Sequence, residues 1–342
     1  MESAPAPGLM GDVLVSRNVM ELIAKKRLQL VSGRCNEPLA AEIATHLGVE
    51  LADAHLSEFA NGEIYCRFGE SIRGADVFII QTHGPPVNAS IMEQAIMIDA
   101  AKRASAKRIT AVCPYYGYAR QDRKASGREP ITAKLVADIL ASAGANRVLS
   151  VDLHSGQIQG FFDGPVDHLT AMPVLLEYLR NHSQETPVIV SPDIGRMKYA
   201  ARYAEHLGAG LASIYKRRPS GAHNTVEAVD VMGDVAGRCC VIVDDMIDTA
   251  GTVCAAADLL ASHGATDVWA MATHGVLSDP AIDRLKNSVL SRVVVTNTLP
   301  LAEHRKIDKI EVLSVAALIA DALDAVFEDT SVSELFGGEN QA

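Results

Sequence analysis

ADILASAGANRVLSVDLH (137–154) aligns without gaps to ADLLASHGATDVWAMATH (257–274), at a constant offset of 120 and with nine of 18 positions identical. Each copy reads as an amphipathic helix, a Gly-Ala connection and an apolar strand. One such unit could arise by convergence, because helix–Gly–strand connections are common. Ungapped identity at half of the positions favours duplication of a larger α/β unit. Working outward, short apolar runs alternate with helical periodicity on both sides of each copy. Strands are expected at 28–33, 77–81, 108–116 and 148–153, with helices at 38–47, 89–105 and 131–143 between them. The second half continues with strands at 188–192, 239–245, 268–274 and 293–297. Continuous apolar strands alternating with helices imply parallel sheets covered on both faces, with clefts at the carboxyl ends of the strands.

Composition narrows the function classes. The chain has 342 residues and a net charge of −11, from 31 Lys+Arg and 42 Asp+Glu. That balance opposes a nucleic-acid partner, since phosphate backbones are held mainly by Lys and Arg. Six scattered cysteines (35, 66, 113, 239, 240 and 254) form no CxxC pair, so they read as buried free thiols rather than zinc or redox ligands. The N-terminus lacks a basic region followed by an apolar core, and no apolar run reaches the ~18 residues of a membrane span. A cytoplasmic protein with no membrane partner is expected. Residues 1–26 read as an extension ahead of the fold.

The strongest chemical signal is CCVIVDDMIDTAGT (239–252). An apolar strand runs into Asp244 and Asp245, and then into Asp248, Thr249, Ala250, Gly251 and Thr252 before a helix. Small residues let backbone N–H groups approach a phosphate, and a helix N-terminus adds partial positive charge. Thr249 and Thr252 can add hydroxyl donors. The adjacent carboxylates suit a sugar diol, or a Mg²⁺ held between sugar and phosphates. The plainer alternative is that Asp248 or Thr249 caps the helix.

Three other segments carry chemistry. FANGE (59–63) is a hairpin-like turn ahead of the alternating run EIYCRF. Residues 102–128 hold eight Lys/Arg against one acid, Asp122, and the YYGYARQDRK part leaves the carboxyl end of a strand. KRRP (216–219) with the small polar residues after it reads as a loop delivering Lys216 and Arg218 over a site. No GxxxxGK[ST], HExxH or GxSxG occurs, which removes Walker NTPase, zincin and serine-hydrolase readings.

The 239–252 segment resembles the phosphoribosyl-binding motif of type I phosphoribosyltransferases and ribose-phosphate diphosphokinases. FANGE, YYGYARQDRK, REPITAKL, DLHSGQIQGFFD, SPD, KRRP and DDMIDTAGT together resemble the diphosphokinase family, in its order, over about residues 28–336. The resemblance implies two similar phosphoribosyltransferase-like α/β domains, each a mostly parallel sheet flanked by helices. They would span 27–169, completed by 326–340, and 170–325. It implies transfer of the diphosphoryl group of ATP to ribose 5-phosphate, with Mg²⁺ as cofactor and a homo-oligomer, a hexamer in this family. ATP contacts are implied for Phe59, Asn61, Gly62, Glu63, Arg120, Gln121 and His154, and metal-linked roles for His154 and Asp193. Lys216 and Arg218 match the catalytic loop. Arg218, Asp244, Asp245 and Asp248–Thr252 match the ribose 5-phosphate site.

Some positions depart from that pattern. After SPD a single Gly195 stands where the family usually has two, followed by Arg196. Glu334 replaces the usual aromatic of the C-terminal regulatory segment, and His168 falls where an interface contact on a helix is implied. His274 occupies the position equivalent to His154, yet only His154 is functional by resemblance. A non-catalytic regulatory paralogue and a phosphoribosyltransferase are the competing readings. The first should have lost the basic loop, and the second would need neither FANGE nor Arg120-Gln121.

Overall fold

The computed structural model describes residues 26–217 and 228–336, the side chains of 216, 217, 228, 229, 335 and 336 excepted. Apart from Lys26, the expected N-terminal extension lies outside the described residues.

The first half runs β1 (Leu28–Ser32), α1 (Glu37–Leu47), β2 (Ala54–Glu58), β3 (Ile64–Phe68), β4 (Asp76–Ile80), α2 (Val87–Arg103), β5 (Arg108–Cys113), α3 (Thr132–Ala143), β6 (Arg147–Val151) and β7 (Val166–Leu169). The second half runs α4 (Met172–His182), β8 (Val188–Ser191), α5 (Met197–Leu207), β9 (Gly210–Arg217), β10 (Ala228–Met232), β11 (Cys239–Ile247), α6 (Gly251–Ser262), β12 (Asp267–Gly275), α7 (Ala281–Asn287), β13 (Arg292–Thr296), β14 (Ile310–Leu313) and α8 (Ala316–Phe327). This is the α/β alternation expected, and the repeated segments fall on α3–β6 and α6–β12.

The first sheet has order β1-β4-β5-β6-β7 and is parallel throughout. The second has order β10-β9-β8-β11-β12-β13-β14, antiparallel only at β9–β10. All five residues of β4 are buried, as a strand covered on both faces requires. The second sheet contains a reversal: from β8 the chain goes to β9 on one side and then to β11 on the other. The first sheet has no such reversal. In open α/β sheets, ligands bind outside the carboxyl ends of the strands at this switch point.

One apolar cluster spans both halves. It includes Leu39 and Ile43 of α1, Leu149 of β6, Leu175 of α4, Val241 of β11 and Ile319 and Leu323 of α8. The chain end is tied to the first sheet by charge, since Asp329 pairs with Lys26 at 2.6 Å and Arg108 at 2.5 Å.

Several sequence expectations shift. The strand at 108–116 stops at Cys113, because Pro114 has no N–H for the ladder. His168 lies on strand β7, not a helix, and its Nε2 accepts from the Leu153 amide at 2.8 Å. Arg103 and Arg108 of the basic run pair locally with Asp99 and Asp76. Cys113 and Cys240 are buried while the other four cysteines are half-buried; all are free, and burial pushes the Cys113 thiol up to about 12.

Candidate active site

A polar cavity of about 200 Å³ opens where the sheets meet, lined from the first half by Arg120 and His154 and from the second by Asp193, Arg196, Asp244, Asp245 and the 248–252 loop. Asp193 follows β8 and the other acids end β11, so the cavity sits at the switch point. An adjoining apolar cavity of about 700 Å³ shares Pro192, Asp193 and Thr252 with it, and among the described residues Asp193 is its one charged group.

The 248–252 loop is built for an anion. Ala250, at φ +58°, is the residue preceding α6, and no side chain caps the helix. Its methyl group cannot cap. The Asp248 carboxylate instead takes Arg120 Nη1 at 2.7 Å, so the simple capping alternative is not met. Behind the loop, Arg284 Nη1 donates to the Thr249 carbonyl at 2.9 Å. An uncapped helix start with Thr249 and Thr252 beside it offers several donors to one phosphate.

Arg196 organises the acidic end of the cavity. Its Nη2 donates to Asp245 Oδ1 at 2.6 Å, its Nε lies 3.2 Å from Asp244 Oδ1, and its Nη1 donates to the His154 carbonyl at 3.2 Å. His154 Nδ1 is 2.7 Å from Asp245 Oδ2 and also 2.7 Å from Arg196 Nη2. One ring nitrogen cannot serve both an acceptor and a donor. The carboxylate is the stronger partner, so Nδ1–H donates to Asp245 and Nε2 is the nitrogen that a neutral ring offers to a ligand. Such a carboxylate–histidine pair is the usual support of a metal-ligating imidazole. Asp193 caps the short 3₁₀ turn Ile194–Arg196, its Oδ1 accepting from the Arg196 amide at 3.0 Å.

Burial and the charge of Asp245 push the Asp244 carboxyl up to about 8. Burial would also raise Asp245, but the His154 hydrogen bond and the Arg196 charge outweigh it and hold that carboxyl down at about 2. The two adjacent acids are thereby separated into a proton holder and a permanent anion.

The chain is matched over residues 28–144 by the family described as the N-terminal domain of ribose phosphate pyrophosphokinase, and over 215–337 by the phosphoribosyl synthetase-associated domain. It is 56% identical over 313 residues to a ribose-phosphate pyrophosphokinase of Streptomyces coelicolor, covering 91% of this chain and 97% of that one. A Bifidobacterium longum protein of the same name is 53% identical over 322 residues, covering 93% and 95%. The crystal structure of phosphoribosylpyrophosphate synthetase from Mycobacterium smegmatis superposes with a TM-score of 0.84 at 51% identity, covering 89% of this chain and all of that one. The chain belongs to the ribose-phosphate pyrophosphokinase family.

Within this member of the family the remaining expected residues are dispersed. Phe59–Glu63 form the tip of the β2–β3 hairpin, closed by Phe59 N to Glu63 O at 2.8 Å. Gly62 has φ +87°, and Asn61 Oδ1 accepts from the Glu63 amide at 3.2 Å. Phe59 is 57% exposed, and none of these residues lines the cavity. Gln121 Oε1 accepts from Thr132 Oγ1 at 2.6 Å, fixing the turn after Arg120 to the start of α3. The backbone of Lys216 lies near the end of β9, opposite Val229 of β10; its side chain and all of Arg218 lie outside the described residues.

Arg196 lines the cavity and binds its acids, yet sequence reasoning assigns it no role. Its signal was present as a basic residue three positions after Asp193, but nothing local shows that it reaches two acids on another strand.

The acidic pair makes a pH prediction. A carboxyl whose folded pKa rises from 3.8 to about 8 contributes stability that is complete below pH 4 and is lost as pH rises toward 8. Asn cannot titrate. In EDTA and without substrate, the Tm of Asp244→Asn should therefore gain on that of the unsubstituted protein as pH rises from 5 to 8. A difference that stays constant over that range would refute the shift.

Proposed function

We propose that this chain transfers the diphosphoryl group of ATP to the anomeric hydroxyl of ribose 5-phosphate, giving 5-phosphoribosyl 1-diphosphate and AMP. The observation carrying this reading is the paired carboxylates Asp244 and Asp245 followed directly by the uncapped helix start at 248–252, with Arg120 bound to Asp248. The Asp244 and Asp245 side chains hydrogen-bond a sugar diol, and the loop amides with Thr249 and Thr252 take the 5-phosphate. Arg120, Gln121 and His154 serve ATP, joined by Phe59, Asn61, Gly62 and Glu63 of the hairpin.

The anomeric oxygen forms a bond to the β-phosphorus, the bond from that phosphorus to the α,β-bridging oxygen breaks, and AMP leaves with that oxygen. Phosphoryl transfer leaves little covalent work for the protein, so positioning and charge stabilisation dominate. Lys216 and Arg218 neutralise the charge that builds on the departing oxygen. Arg suits bidentate phosphate contact and Lys acts as a point charge. The anomeric proton is lost to solvent, since phosphoryl transfer requires no strong base.

Among the described residues, no group of three or more His, Cys, Asp or Glu gathers as a metal cluster. Mg²⁺ is held by one or two carboxylates with substrate phosphates and waters, and the Asp193 carboxylate in the cavity lining, with His154 beside it, fits that requirement. His154 Nε2 and the Asp193 carboxylate would hold it. Bound with ATP, the ion offsets repulsion between the incoming oxygen and the polyphosphate.

Among the described residues no helix is long and apolar enough to cross a membrane. A cytoplasmic homo-oligomer completes the reading. The hexamer expectation is checked by a solution mass six times 36.4 kDa. AMP formation from ATP should require both ribose 5-phosphate and Mg²⁺. AMP appearing equally fast without ribose 5-phosphate, or no AMP at all, would sink the assignment.

A further inference from the structure

The duplicated segment places His154 and His274 at matching positions, and the fold treats them oppositely. β6 ends at Val151, and Asp152 turns the chain at φ +36°, so His154 reaches the cavity. β12 stays extended through Gly275, so His274 remains in the strand, 2% exposed and away from the cavity lining.

His274 is nevertheless attached to the turn that carries His154. Its Nε2 lies 3.1 Å from the carbonyl oxygens of both Val151 and Asp152. Carbonyls only accept, so Nε2 bears the proton, and Nδ1 accepts from the Thr298 hydroxyl at 2.9 Å. Burial lowers the pKa of the ring and keeps it neutral. The ring meets Tyr115 edge-on at 5.0 Å, at the start of the loop that leads to Arg120.

The rest of the turn is held just as fully. The Asp152 carboxylate accepts from Thr273 Oγ1 at 2.6 Å, Thr170 Oγ1 at 2.8 Å and the Ala171 amide at 2.9 Å. The Asp152 amide donates to Leu169 O at 2.9 Å and the Leu153 amide to His168 Nε2 at 2.8 Å. A non-glycine residue at positive φ persists only where its surroundings over-determine it. Here two of those anchors, Thr273 and His274, come from the opposite sheet.

We propose that His274 is a positioning residue for His154, holding the strand end of the first sheet from the second so that the His154 ring meets Asp245 and the cavity. The inference rests on the reading of His154 as part of the ATP–metal end of the site. The duplicated histidine thus has two roles, one facing ligand and one setting the angle of the other.

The test compares His154→Ala, His274→Phe, His274→Gln and the His154→Ala/His274→Phe double variant in the full-length enzyme, with MgATP and ribose 5-phosphate. Phe keeps the shape and the Tyr115 contact but loses both polar links; Gln keeps a donor for the two carbonyls. His274→Phe should lower kcat on the order of 10-fold or more while KM for ribose 5-phosphate stays within about twofold. His274→Gln should recover most of the loss. The double variant should be no slower than His154→Ala alone, because residues acting as a unit are not additive. A wild-type kcat for His274→Phe, or losses that multiply in the double variant, overturns the proposal while leaving the His154 reading intact. Full activity of His154→Ala overturns that reading, and the proposal with it. If the Phe variant does not fold, Thr298→Val, which removes the donor to Nδ1, must show the same pattern at smaller size; an unchanged kcat there overturns the proposal equally.

Discussion

Arg196→Ala is expected to lower kcat/KM for ribose 5-phosphate by about 100-fold, roughly 3 kcal/mol of lost stabilisation. The guanidinium touches both carboxylates and the backbone of His154, and Asp245 is 3% exposed. Removing one partner of a buried pair leaves its charge uncompensated, which costs more than the pair contributed. Without Arg196, Asp245 loses one of the groups that hold it ionised, and the pair loses the orientation toward a sugar diol proposed for it. Arg196→Lys should recover little, since a single ammonium cannot span partners that the planar fork reaches together. Steady-state kinetics with ribose 5-phosphate varied at saturating MgATP decide the matter. A Lys variant at the unsubstituted rate would show that only charge at this position matters.

Lys216→Ala should reduce kcat by about 10²–10³, on the order of 3–4 kcal/mol, the usual cost of losing one donor aimed at developing charge. Its place in the fold supports the expectation. β9 pairs with β8, which runs into Asp193 at the cavity, and Tyr215, one residue earlier, lines the adjoining cavity. A group that acts only as the leaving oxygen gains charge contributes little to the ground state. ATP affinity in the variant, measured by direct binding, should therefore stay within a few-fold. AMP formation near the unsubstituted rate would remove Lys216 from the mechanism. Weakened ATP binding with kcat unchanged would make it a ground-state contact instead.

Much of the architecture was legible because burial writes directly into sequence. The apolar runs of β4, β5 and β11 read as strands covered on both faces, and Gly144 marks a helix end that its backbone freedom allows, whereas the strand that stops before Pro114 reads three residues too long in the sequence. The NGE turn with its alternating partner became the β2–β3 hairpin. The phosphate loop was legible for a related reason: the acids, hydroxyls and small residues that one anion needs lie within nine consecutive positions, 244–252. What stayed hidden involves partners distant in sequence. Arg196 looked like part of an irregular loop, and it reaches acids 48 and 49 positions later on the neighbouring strand. His168 and the basic run at 102–108 showed their charge and polarity but not the backbone amide, Asp99 and Asp76 that hold them.

The sequence by itself determined two parallel α/β units, their internal repeat and the residue types of a phosphate-and-sugar site, because local period and composition encode them. Only the tertiary structure decided which unit carries that site and which histidine faces it. Among the described residues strand order reverses in the second sheet and not in the first, and the strand ends part at that reversal to leave a cleft. A single residue at positive φ, Asp152, turns His154 into that cleft, while the extended backbone of β12 keeps His274 in the core. Neither decision is visible in the 18-residue repeat, where the two histidines are the same letter at the same offset.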